Sequence, residues 1–221
     1  MHVKQNINSP KGKKEKNMRN EDIFVLENFD DETLELIKRK KIKHLIFRIS
    51  PKEKFDLTKL LQFSGTLEKL SLRGGNYTSL EKMFNEMPKL TYLDADTQKI
   101  EFSLIAENSV LEYLGMEGAK TKEWEGITNL KNLKDLYING NIALENIDFL
   151  LSLSNLEKIR LYNCSKITQI PDLSGLKKLK SVSVEICNRL EDISELKKLE
   201  NIEIHISGKM IKGGYHILVN Q

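Results

Sequence analysis

The sequence is short of the residues that most kinds of chemistry require. Two cysteines in 221 residues give no disulfide framework of the kind that holds small secreted domains together. Those two and the four histidines never gather with carboxylates at metal-ligand spacing, so no metal is expected. No apolar run approaches the roughly 20 residues of a membrane-spanning helix, and no membrane partner is expected. Met1 to Asn20 also lacks the apolar stretch of about 7 to 15 residues found in a cleaved secretory signal. A reducing, cytoplasmic setting is the expectation that follows. Only four prolines interrupt a chain with 39% apolar and 30% charged residues, the composition of an ordered, soluble protein.

The net charge of +3 is unevenly placed. Lys4, Lys11, Lys13, Lys14, Lys16 and Arg19 against Glu15 give residues 1–20 a balance of +5, which leaves −2 for the other 201 residues. The body is close to neutral, and the basicity belongs to a tail with no aromatic residue among its lysines. Such a tail is read as solvated and disordered, and nucleic acid is an unfavoured partner.

What the chain does have is a repeat. Leu133, Leu136, Ile138, Asn141, Leu144 and Ile147 recur 23 residues later as Leu156, Ile159, Leu161, Cys164, Ile167 and Ile170, and again as Leu179, Val182, Val184, Cys187, Leu190 and Ile193. The same start recurs at Ile42, Leu67, Leu90, Leu111 and Leu199, which predicts eight coils. Self-similarity at this step marks a solenoid, whose coils bury their apolar faces only by stacking on each other. The alternation inside each coil predicts a strand, so the strands should form a parallel sheet. Returns such as Ser79 to Glu86 have helical spacing, whereas Ile167 to Leu176, with Pro171 and Gly175, suit 3₁₀ or extended turns. Asp30 and Asp31 before Leu34, Leu36 and Ile37, with Lys38 to Lys41 behind, predict a helix over Asp31–Lys40. The expected organisation is a tail (1–20), an N-terminal helical cap (21–41), the solenoid (42–206) and a hairpin-like C-terminal cap (207–221).

The pattern Leu-x-x-Leu-x-Leu-x-x-Asn/Cys-x-x-Leu resembles the leucine-rich repeat family over about Ile42 to Ile206. The cysteine at the ninth position and the Ile-x-x-Ile-Pro-x-Leu return are similar to repeats of plant immune receptors and bacterial internalin-like proteins. The resemblance implies a curved α/β solenoid whose concave parallel sheet, or an adjoining edge, binds another protein; the chain is expected to be a monomer when unbound.

Chemistry of other kinds finds no constellation. Cys164 and Cys187 share the inward position of Asn141 and are read as buried structural thiols. Arg73-Gly74-Gly75-Asn76 lacks the spacing of a phosphate loop and reads as a turn. Trp124 is read as core, filling the irregular fourth coil where Ala119 and Lys122 break the pattern. No catalytic residue and no cofactor are assigned.

The variable positions flanking the buried leucines carry the functional information. Counted from each coil start, Tyr92, Tyr113, Tyr137 and Tyr162 fall on four successive coils at the third, third, fifth and seventh positions. Tyrosine and arginine are frequent at the energetic centres of interfaces, so these four and Arg160 form the candidate hot spot. Arg48 and Arg73 precede Asp94 and Asp96 along the stack, an ordered charge pattern that joins the candidate site. In the last coil this count places Asn201, Glu203 and His205 on the exposed face. The expected function is a non-enzymatic, bacterial protein-binding module, in a specific version an inhibitor or antidote of a toxin or enzyme. The alternatives are a nucleic-acid-associated protein using the tail and an exported effector of host proteins.

Overall fold

The computed structural model describes residues 18–219 except 21–22, 28, 49, 51, 53, 97, 108, 120 and 208–215. Most of the basic tail, with Met210 and Ile211 of the expected C-terminal cap, lies outside the described residues.

Strands form where apolar and polar residues alternate. They are β1 (Met18–Asn20), β2 (Ile23–Leu26), β3 (His44–Arg48), β4 (Lys54–Asp56), β5 (Lys69–Arg73), β6 (Asn76–Thr78), β7 (Tyr92–Asp96), β8 (Tyr113–Glu117), β9 (Asp135–Asn139), β10 (Lys158–Tyr162), β11 (Ser181–Glu185), β12 (Glu203–Ser207) and β13 (His216–Val219). All but β4 and β6 form an 11-stranded sheet, in the order β1, β2, β3, β5, β7 to β13. Strands β2 to β12 of this sheet run parallel, and β1 and β13 close its two ends in antiparallel pairing. The eight predicted coil strands all form. The parallel set also gains β2, which pairs with β3.

That pairing changes the role of the first helix. Helix α1 (Asp31–Lys40) forms over the predicted residues, with the Asp30 side chain accepting from the Thr33 amide at 2.8 Å. Lys41 takes a left-handed conformation, φ 50°, and the amides of Lys41 and Ile42 return to the carbonyls of Lys38 and Ile37. This is a Schellman ending, in which the orphan carbonyls of the last turn find donors. Since α1 connects two parallel neighbours, it is the return segment of an extra coil rather than a lid outside the first one. Later returns are 3₁₀ Leu57–Phe63, α2 (Leu80–Glu86), four short 3₁₀ turns between Phe102 and Gly175, and α3 (Ser194–Lys197). Helical early returns and tighter later ones agree with the spacing in the sequence. The small pair β4 and β6, packed through Phe47, Phe55 and Tyr77, carries no signal of the repeat.

The interior is one continuous ladder. Leu45, Leu70, Leu93, Leu114, Leu136, Ile159, Val182 and Ile204 succeed each other at matched registers, all buried. Burying each such side chain contributes about 1.5–3 kcal/mol, and only the next coil makes that burial possible. Beside the ladder, buried polar groups satisfy loop backbone. Asn141 accepts from the amides of Ala143 and Leu144 at 2.9 and 3.0 Å and donates to the Thr121 carbonyl at 3.2 Å. In the irregular fourth coil Thr121, not Ala119, makes this link, bonding both the amide and the carbonyl of Ile100. Trp124 is core, with its ring 5.5 Å from Phe102 and stacked on Phe149 at 5.2 Å.

Cys164 and Cys187 continue the position of Asn141, each within sulfur hydrogen-bond range of two carbonyls. A hydrogen bond to Cys187 and burial push the Cys164 thiol well above its ordinary range. Both thiols are free and buried, so both should resist alkylation in the native protein and react only after denaturation, as mass spectrometry of iodoacetamide-treated samples would read.

The last coil differs from its expected register. Leu199 opens it as predicted, its amide bonding Leu196 as the Leu179 amide bonds Leu176. Asn201 then turns with φ 57°, and the strand starts two residues late. Glu203, His205 and Ser207 therefore stand opposite Ser181, Ser183 and Glu185, in place of Asn201, Glu203 and His205.

The residue just after the strand repeats a left-handed turn in five coils, at Gly74, Gly118, Gly140, Asn163 and Ile186. Glycine and asparagine tolerate this conformation, but a β-branched side chain is strained there. Ile186 is also 37% exposed, so little burial offsets the strain. Replacing it, as Ile186→Asn, should raise stability by about 1 kcal/mol, seen as a higher unfolding midpoint in urea.

Candidate functional site

Residues at the third, fifth and seventh positions of each coil share one face of the sheet, and parallel pairing aligns them in rows about 4.8 Å apart. This spacing brings the candidate residues together in two linked groups. Tyr92 and Tyr113 are direct partners in register. Their rings stack with centroids 4.0 Å apart and planes inclined by 3°. Burial pushes both phenols up, so both keep their protons at neutral pH.

Two residues along, Asp94 stands opposite Gly115. A Cβ on Gly115 would lie 2.6 Å from Asp94 Oδ1 and 2.8 Å from the Tyr113 hydroxyl. The absent side chain is what lets both groups fold over β8. Arg73 then ties the corner together, donating through Nη2 to Asp94 at 2.5 Å and through Nη1 to Asp96 at 2.7 Å. Two hydrogen bonds from one planar guanidinium fix its orientation as well as its charge. Arg48 lies opposite Arg73 in the register, is exposed, and makes no ion pair among the described residues.

The second group centres on Arg160. Its Nη2 donates to both oxygens of Asp135 at 2.9 and 3.0 Å, and its Cζ lies 5.1 Å from the Tyr137 ring centroid and 5.8 Å from that of Tyr113. The guanidinium thus joins Tyr137 to the tyrosine stack by cation–π contact. Tyr162 stands apart from the stack, with Asn139 and Glu185 as its neighbours in register and no ring contact among the described residues.

Four further residues belong to this face. Asp135 clamps Arg160, Lys69 Nζ lies 5.9 Å from the Tyr92 centroid, and His44 bonds Ser71 Oγ at 3.2 Å. Burial and the neighbouring Lys69 lower the His44 pKa, which keeps the ring neutral near pH 7. The signal for Asp135 was present in the repeat columns, because it lies diagonal to Arg160 one coil away. The side-chain directions that join them were not. Among the described residues no group of His, Cys, Asp or Glu is placed to hold a metal ion.

A stack of coils with a leucine ladder inside and a parallel sheet along one side defines a leucine-rich repeat solenoid. Residues 154–198 match the family described as Leucine Rich repeats (2 copies). The chain has the fold of a leucine-rich repeat solenoid. No curated protein matches the sequence. Among solved structures it is similar to an internalin, inlF, from Listeria monocytogenes, at 21% identity and a TM-score of 0.61 over 78% of this chain and 50% of that one. The chain therefore spans about half the length of that internalin. Internalin C2 of the same organism gives 21% identity and a TM-score of 0.51, over 76% of this chain and 83% of that chain. The leucine-rich repeat domain of the type III effector XopL gives 17% identity and a TM-score of 0.59, over 87% of this chain and 78% of that domain. Identities this low establish the shared fold, a curved solenoid with the sheet on its concave side.

The buried Asp94 gives the face a pH signature. Burial raises its pKa, Arg73 opposes the rise, and Asp96 and Glu117 add to it. Above the ordinary value of 3.8 the folded chain then holds more protons at this site than the unfolded chain. This contribution to stability must fall as pH rises through that window. Asp94→Asn should remove the fall, measurable as a flatter dependence of the urea midpoint on pH above about 4.

Proposed function

We propose that the chain is a non-enzymatic protein-binding module whose partner docks on the concave sheet, with Tyr92, Tyr113, Tyr137 and Arg160 at the centre of contact. Leucine-rich repeat domains in general mediate protein–protein interaction. The observation that carries the reading for this chain is the mutual immobilisation of those four side chains. Ring stacking, the Asp135 clamp and two cation–π contacts hold them in place before any partner arrives. Ordering a long side chain on binding costs about 0.5–1.5 kcal/mol, and here most of that ordering is already made. Tyr162, Arg48, Arg73, Asp94 and Asp96 form the surrounding polar rim, which sets orientation more than affinity.

In its more specific form the partner is a toxin or enzyme whose working surface the solenoid covers. A reducing bacterial cytoplasm suits the two free thiols. The fold shared with a type III effector domain favours a second reading, an exported protein that binds host proteins, and a secretion assay separates the two.

The test is affinity capture from the native cell with the full chain, a double variant Tyr113→Ala with Tyr137→Ala, and a chain lacking residues 1–20. A specific partner should be retained by the full chain and by the shortened chain. The double variant should bind at least about tenfold more weakly, as loss of two interface anchors implies, and should remain folded by circular dichroism. Unaltered affinity of the double variant would reject the docking face. Loss of binding with the tail would move the function to nucleic acid or another anionic partner.

A further inference from the structure

Strand β11 is the low point of the concave face. Its third and fifth positions are Ser181 and Ser183, the smallest such pair on the sheet apart from any containing Gly115, while its neighbours carry Lys158 and Arg160 on β10 and Glu203 and His205 on β12. The result is an open trench of about 340 Å³, with walls about 10 Å apart, two strand spacings. Arg160 does not fill it, because Asp135 and the rings of Tyr137 and Tyr113 draw its guanidinium over β9 instead.

The charges around the trench cancel in pairs and leave one over. Arg160 is neutralised by Asp135. Lys158 and Glu203 stand at the entrance on either side of Ser181, both exposed. Glu185, at the far end, has no lysine or arginine partner among the described residues. One of its oxygens accepts from Ser183 Oγ at 2.7 Å, and the other lies 3.7 Å from His205 Nε2. Tyr162 is its direct partner in register on β10, on the same face of the sheet.

We infer that this trench receives one cationic side chain, an arginine or lysine, of the docked protein. Its aliphatic stem lies along Ser181 and Ser183, and its head meets Glu185 with the Tyr162 ring alongside. Long cationic side chains carry an apolar stem and a charged tip, and a carboxylate at the far end of the trench suits that tip. The assignment deepens the docking proposal above and gives Tyr162, which takes no part in the ring stack, a role of its own. A carboxylate occupant is disfavoured because the charge left over is negative.

The test uses the ¹⁵N-labelled full chain and two small probes, N-acetyl-arginine amide and N-acetyl-glutamate amide, followed by amide chemical shifts. The arginine probe should give saturable shifts across residues 181–185, and the glutamate probe should give none. Ser183→Leu, which fills the floor without changing charge, and Glu185→Gln, which removes the charge without changing shape, should each weaken the response by about tenfold. Unchanged amides on β3 to β8 confirm that each variant is folded. Absence of saturable shifts, an equal response to the glutamate probe, or a response surviving both substitutions would overturn the assignment. If the Tyr113/Tyr137 double variant loses the partner while the arginine probe gives no shift, the docking face stands and the trench assignment alone fails.

Discussion

Everything in this molecule depends on the registered stacking of one coil upon the next. A coil of about 23 residues cannot enclose its own leucines, so Leu136 is buried only because Leu114 and Ile159 lie against it on either side. Stability is then carried by nearest-neighbour contacts along a line. The same register that closes the core also aligns the exposed residues. Two tyrosines at matched positions must meet face to face, and two serines on one strand must leave a gap between taller neighbours.

A second constraint comes from the loops that follow each strand. They run inward, and their amides and carbonyls need partners that water cannot supply. Asn141, Thr121 and Gln98 meet that need with side-chain hydrogen bonds, and Cys164 and Cys187 occupy the same place with weaker sulfur donors. Exposed ion pairs such as Lys43 with Glu68, Lys134 with Glu112 and Lys180 with Glu157 line the strand entries. Largely solvated pairs of this kind contribute little to stability.

The face shows why a count of charges is a poor guide to a binding surface. Arg73 and Arg160 look in sequence like free cations available to an acidic partner, but each is already held by carboxylates. What the surface offers is rigid aromatic area at its centre and, at the side, the Glu185 carboxylate with no lysine or arginine partner among the described residues. Rigidity of this kind lowers the entropic cost of association without adding a contact.

Sequence alone determined the repeat step, the starts of the eight expected coils, the buried ladder from β3 to β11 and helix α1, because burial and helix capping act over a few residues and leave a periodic trace. It also placed Tyr92, Tyr113, Tyr137 and Arg160 on one face. Tertiary structure decided the rest, for reasons that no local pattern contains. Strand β2 joined the parallel sheet because β3 offered it an unpaired edge, which turned α1 from a cap into a return segment. The two-residue slip at Asn201 moved Glu203 and His205 along the face, since pairing with β11 outweighed strict spacing. Arg160 turned towards Asp135 rather than over Ser183, and side-chain direction, not position in the repeat, opened the trench and separated Tyr162 from the tyrosines it follows.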